Sequence, residues 1–114
     1  MANTFNRTTK SSLATTDVTT DPTTNVLTAT TTTSLILISI LIANKSGSSA
    51  NANVYLFTAT GDDTYLLKNA PVPAGSTLEL IQGSRVVLTA NDVLRASSDT
   101  ASALDVTLSY LAQS

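Results

Sequence analysis

The sequence predicts an all-β fold: an antiparallel β-sandwich, jelly-roll-like or immunoglobulin-like, of about seven to nine short strands behind an extended Thr-rich N-terminal arm. Three observations predict it. First, Leu104-Asp105-Val106-Thr107-Leu108-Ser109-Tyr110 alternates apolar and polar residues. Successive side chains on a strand point to opposite faces, so Leu104, Val106, Leu108 and Tyr110 share one face and face a core. Second, turn-forming clusters interrupt the chain every ~8–12 residues, which is sandwich or barrel spacing rather than α/β spacing. Third, the chain holds 21 threonines and 14 serines among 114 residues. Threonine is β-branched and packs well on a pleated surface.

The elements follow in order. Residues 1–33 are Thr-rich and poor in apolar side chains (Phe5, Leu13, Val18, Val26 and Leu27). They read as a polar arm or as edge strands, with Asp21-Pro22 as a turn, and an arm of this kind can add to a neighbour's open sheet edge. Residues 34–114 read as the sandwich domain. Leu35–Ile42 is a continuous apolar, β-branched run, so the expected strand is covered on both faces, by the core or by a partner subunit. Asn44–Asn51 is a loop, Val54–Thr58 a strand, Gly61-Asp62-Asp63 a hairpin turn and Thr64–Lys68 its return strand. Asn69–Gly75 is expected to be a connection, because Pro71 and Pro73 cannot serve an interior ladder. Strands follow at Thr77–Ile81, Val86–Leu88 and Val93–Ala96, separated by turns at Gln82-Gly83-Ser84 and Ala90-Asn91-Asp92. Ser97–Ser102 is a loop before the final strand.

Little in the composition carries chemistry. His and Cys are absent, which removes the commonest catalytic base, thiol nucleophile and transition-metal ligands. No Ser-x-x-Lys context and no Gly-rich phosphate loop is present. Asp62-Asp63 beside Gly61 fits a turn better than a calcium loop, since no spaced set of further oxygen ligands follows. The chain is therefore expected to be non-enzymatic, with no cofactor and no metal. Six Lys and Arg against eight Asp and Glu give a net charge of −2. The cations are scattered, so no nucleic-acid partner is expected. The apolar run is too short for the ~20 residues of a membrane helix, and no membrane partner is expected. Tyr55, Phe57 and Tyr65 fall together across the proposed hairpin. They form either a stacking platform for sugars, as in a carbohydrate-binding β-sandwich module, or a core or interface cluster.

Four segments together carry a resemblance. These are the opening Asn3-Thr4-Phe5-Asn6-Arg7, LILISILIAN at Leu35–Asn44, YLLKNAPVPAGSTLEL at Tyr65–Leu80 and DVTLSYL at Asp105–Leu111. The chain resembles small virion structural proteins of tailed bacteriophages of the cyanophage kind. It departs from their pattern at Asn44–Asn53 and Asp17–Pro22. The resemblance implies a non-enzymatic part of the particle, found in the virion after assembly in the host bacterial cytoplasm. Capsid decoration or cement protein is the first expectation, and a neck, collar or tail-fibre component the second. The implied partners are the major capsid protein or other virion proteins, together with further copies of the chain. Phe5, Arg7, Leu35, Leu37, Ile38 and Ile40 are the expected assembly contacts. Pro71 and Pro73, with Asp62-Asp63, are exposed contact candidates.

Overall fold

A computed structural model describes residues 3–80 and 86–113. Nine strands are present among these residues: β1 (Asn3–Lys10), β2 (Asn25–Thr28), β3 (Ser34–Asn44), β4 (Ala50–Phe57), β5 (Thr64–Val72), β6 (Thr77–Glu79), β7 (Val86–Leu88), β8 (Val93–Ser98) and β9 (Leu104–Gln113). One sheet runs β1-β9-β3-β6, with β7 also on β3, and the other runs β2-β8-β4-β5. All pairings are antiparallel. Strands β6 and β7 pair with successive stretches of β3, Leu41–Ala43 and Leu35–Leu37, and act as one interrupted strand. Two four-stranded sheets then exchange the chain repeatedly between them, which is a jelly-roll arrangement rather than an immunoglobulin one. The expected turn at Gln82-Gly83-Ser84, and Ile81, lie outside the described residues.

The core forms between the inner faces. The first sheet supplies large side chains, Leu35, Leu37, Ile40, Ile42, Leu88, Leu104, Val106 and Leu108, whereas the second supplies Leu27, Ala50, Ala52, Val54, Val72, Leu94 and Ala96. Large groups on one layer meet several small groups on the other, so the two inner faces can interdigitate. The final strand has its expected phase: Leu104, Val106 and Leu108 are buried and Tyr110 packs against them.

Strand β3 corrects the reading of the apolar run. Its burial alternates in one phase at Leu35 and Leu37 and in the opposite phase at Ile40, Ile42 and Asn44. The register against β9 slips between Leu37 and Ser39, since Leu37 faces Tyr110 while Ser39 faces Ser109. Ile38 is thus the extra residue of a β-bulge, and it flips the parity of everything after it. The run is buried chiefly on one face. Leu35, Leu37 and Ile40 are core residues, at most 5% exposed, and their covering layer is the chain's own second sheet rather than a partner subunit.

Two further expectations change. The arm is not free: β1 pairs with β9 over eight residues, β2 pairs with β8, and Leu13, Leu27 and Ala29 enter the common core. Of the two readings of the arm, edge strands describe Asn3–Lys10 and Asn25–Thr28. In addition, β5 continues through Asn69 and Pro71 to Val72 instead of ending at Lys68. It does so because β5 is the edge of its sheet, where a proline's missing N–H costs no ladder bond.

The ends are closed by polar side chains with saturated hydrogen bonding. Asn44, 3% exposed, donates to Ser48 O (2.9 Å) and Val72 O (2.8 Å) and accepts from Ser46 N (2.9 Å) and Ser46 Oγ (2.7 Å). One carboxamide at the end of β3 therefore ties the first sheet to the second.

Deleting Ile38 removes the extra residue and leaves Leu37, Ile40 and Ile42 on one face with regular alternation, so we expect that variant to keep a cooperative thermal transition. Deleting Ile38 and Ser39 together puts Ile40 next to Leu37 and turns Ile40 and Ile42 to solvent, and should abolish the transition. Retained cooperativity in the double deletion, or its loss in the single one, refutes the parity switch.

Candidate functional surfaces

The bulge determines what the first sheet shows to solvent. On its outer face Phe5 pairs with Leu111, Leu111 with Ile36, and Ile36 with Val87. Directly opposed residues share a face. These four make an apolar row across β1, β9, β3 and β7. Its ends stand well out of the protein: Phe5 is 77% exposed and Val87 48%. Ile36 and Leu111 are half-buried between them, and Ile38 lies half-buried beside the row at the bulge. Arg7 is exposed one step along β1, opposite Ser109. The structure thus brings Phe5, Arg7 and Ile38 of the expected contact residues to one face. It leaves Leu35, Leu37 and Ile40 in the core. Pro71 and Pro73 are exposed on and just beyond the β5 edge of the other sheet, apart from this row. Sequence reading missed Ile36, Val87 and Leu111, because their roles follow from cross-strand register, which a single segment does not reveal.

The outer face of the second sheet is different. Residues 13–25 lie across it and cover β8, every residue of which is buried. Arg95, 7% exposed, acts as the strap. Its Nε donates to Asn25 Oδ1 at 2.8 Å, one terminal nitrogen donates to Val18 O at 3.1 Å, and its guanidinium lies 4.4 Å from the Phe57 ring centroid. Arg suits this position because its planar fork donates in several directions while stacking on an aromatic face. Ser98 N donates to Ala14 O at 2.9 Å and holds the same segment.

These contacts take Tyr55 and Phe57 out of the expected aromatic platform. Tyr55 is 8% exposed, and its hydroxyl donates to Asp63 Oδ2 at 3.2 Å. Burial, then the neighbouring Asp63 carboxylate, push its pKa above the usual phenol value. Phe57 is capped by Arg95. Tyr65 alone of the three is well exposed, at 40%, packed edge-to-face on Tyr55 with centroids 4.9 Å apart. Asp63 also accepts from Thr58 N at 2.8 Å, so the Asp62-Asp63 pair belongs to the hairpin turn.

Beside Tyr65 is a polar groove of about 360 Å³. Its floor includes the Asn53–Ser97 pair, one wall is the Thr15–Val18 segment, and the other carries Tyr65, Lys68 and Asn69. Among the described residues no group of three or more Asp or Glu side chains is placed to hold a metal ion.

The Asp92 carboxylate joins two loops. One carboxylate oxygen accepts from Ala59 N (3.1 Å), and the other from Thr89 N (3.0 Å) and Thr89 Oγ1 (3.1 Å). Burial alone raises its pKa, but the amides of Ala59 and Thr89 and the Thr89 hydroxyl outweigh it and hold the carboxyl below the usual range. Asp105 is also lowered, chiefly by the Lys45 ammonium and then by Ser12 N. Lys45 Nζ lies 2.9 Å from Asp105 Oδ1.

No protein-family model matches the chain, and no curated protein matches it.

A carboxyl whose folded pKa lies below its unfolded value stabilises the fold fully above the unfolded value and loses that contribution as pH falls through the folded one. Asp92 and Asp105 therefore set part of the acid limb, below about pH 4. We expect Asp92→Ala to cost about 2 kcal/mol at neutral pH, because it strands two backbone donors. Asp92→Asn should flatten the dependence of urea midpoint on pH between about pH 5 and pH 2. An unchanged acid limb in Asp92→Asn contradicts the assignment.

Proposed function

We propose that this chain is a non-enzymatic structural protein of a bacteriophage virion, a capsid decoration or cement protein that docks through the outer face of its first sheet. The apolar row Phe5–Leu111–Ile36–Val87 carries the reading. An extended apolar row facing solvent marks an interaction surface rather than a feature of an isolated monomer. Phe5 is an anchor of the kind that dominates interface energetics: a flat aromatic ring on a rigid strand, with polar neighbours around it.

Three further observations support the same reading. The surface is built from hydroxyls rather than charges, which weakens self-repulsion and favours close packing among many copies. The jelly roll recurs in viral capsid proteins, a support by fold analogy alone. The sheet edges are also unequal. Strand β2 has four residues and a bulge, and β5 carries Pro71 and two register shifts. Strand β1 instead offers eight regularly paired residues with an open outer side. An unblunted edge of this length is suited to antiparallel addition of another strand, from a second copy or from a capsid partner. In this role the shell is stabilised by mass action, because the protein binds the assembled form and not its separated subunits. The particle proteins, chiefly the major capsid protein, are the partners, and the virion is the location.

Quantifying the protein in purified particles tests the reading. Hundreds of copies per particle identify a decoration protein. About a dozen would instead place it in a neck or tail ring. Absence from particles overturns the structural role. Phe5→Ser, at an exposed site, should change stability by less than about 0.5 kcal/mol. It should nonetheless weaken attachment to stripped particles by about tenfold or more. Undiminished attachment removes the apolar row from the interface.

A further inference from the structure

The groove on the second sheet has features of a binding site that the assembly role does not use. It is roomy, at about 360 Å³, near the lower end of the range for small-molecule sites, about 300–1,000 Å³. Its walls are fixed on both sides. Asp17 Oδ1 accepts from Thr19 N at 2.9 Å and Thr19 Oγ1 at 2.7 Å, and Arg95 holds Val18 O. Opposite, Asn69 N donates to Asn53 Oδ1 at 2.9 Å, and Asn53 Nδ2 donates to Ser97 Oγ at 3.3 Å. Asn69 sits at φ 51°, in the left-handed region that Asn tolerates better than most residues.

With the walls fixed, several polar groups remain unspent. The Asn69 carboxamide and the Lys68 ammonium make no hydrogen bond or ion pair among the described residues. Lys68 instead stands over the Tyr65 ring, 5.1 Å from its centroid. Asp99 turns one oxygen to Asn51 N (2.8 Å) and Thr100 Oγ1 (3.0 Å), which leaves the other for a ligand. Donors and acceptors are therefore interspersed along the groove, beside one exposed aromatic ring.

From this placement we propose that the groove binds a neutral saccharide through vicinal hydroxyl pairs. A hydroxyl both donates and accepts, so it suits an ammonium, a carboxamide and carboxylates side by side. The ring of Tyr65 offers a flat, electron-rich surface for the C–H face of a pyranose. Charge decides against phosphorylated or sulfated ligands. Asp17 and Asp99 set two carboxylates against the single ammonium of Lys68, and an added anion would meet net negative charge. The site lies on the opposite sheet from the apolar row, so it stands or falls independently of the assembly role.

The test is a titration of the isotope-labelled protein with neutral disaccharides (maltose, cellobiose and lactose) and with glucose 6-phosphate, read by amide chemical shifts. Millimolar or tighter binding of at least one disaccharide is expected, with shifts centred on Asn53, Tyr65–Asn69 and Ser97–Asp99, and none with the phosphate. Tyr65→Ala and Asn69→Gly should each weaken that binding about tenfold. Glycine accepts the left-handed backbone, so Asn69→Gly keeps the fold while removing the carboxamide. Identical melting curves confirm that the loss is local. No shift with any disaccharide, shifts elsewhere on the surface, preference for the phosphate, or full binding by both variants overturns the proposal.

Discussion

A strand has two faces, and one residue out of step exchanges them. The burial of strand β3 depends on that step at Ile38. An eleven-residue strand with apolar side chains at nearly every position has too much to bury on one side and too much to expose on the other. Without the bulge, Leu35 and Leu37 would face the core while Ile40 and Ile42 faced water. With it, all four enter the core, and sheet register around β9 shifts by one to match. Ile36, Ile38 and Leu41 are left half-buried on the outer side. The core is filled, and the apolar load of the outer face is cut to these residues.

The second sheet answers with small residues. Ala50, Ala52 and Ala96 lie within the core cluster with the Leu and Ile side chains of β3 and β9, so the layers can approach closely. The second sheet has its own outer side to protect, and residues 13–25 do that under the Arg95 strap. A segment that composition makes look like a loose polar arm is thus required: three of its apolar residues, Leu13, Val18 and Leu27, fill buried positions. Sparse apolar residues at irregular spacing leave no periodic signal, although these three are buried.

This explains which parts of the molecule were legible in the sequence. The hairpin at Gly61–Asp63, the turn at Ala90–Asp92 and the final strand are local: turn chemistry and a two-residue period specify them, and the structure has them where expected. The extension of β5 through Pro71 depends on that strand being an edge, which is a property of the sheet and not of the segment. The bulge escaped because LILISILI reads the same in either phase; only the partner strand breaks the tie. The outer row escaped for a related reason. Its four residues come from four strands spanning Phe5 to Leu111, and each taken alone is an unremarkable apolar residue. Expected contacts at Leu35, Leu37 and Ile40 came from taking hydrophobicity as a sign of partnership, when it was already used within the chain.

The two outer faces of a sandwich point in opposite directions, and here they are chemically opposed as well. One is crossed by the apolar row of Phe5, Leu111, Ile36 and Val87. The other carries an interspersed set of carboxylates, amides, hydroxyls and one ammonium around Tyr65. A particle surface that took the first face would leave the second pointing outward. The groove would then be presented away from the shell, held by the sandwich rather than by a flexible loop. Docking and ligand binding would require no change of conformation and would not compete for residues. What links them is the thin, alanine-lined second sheet. Its inner face lets the layers close, and its outer face leaves room for the N-terminal segment that forms one wall of the groove.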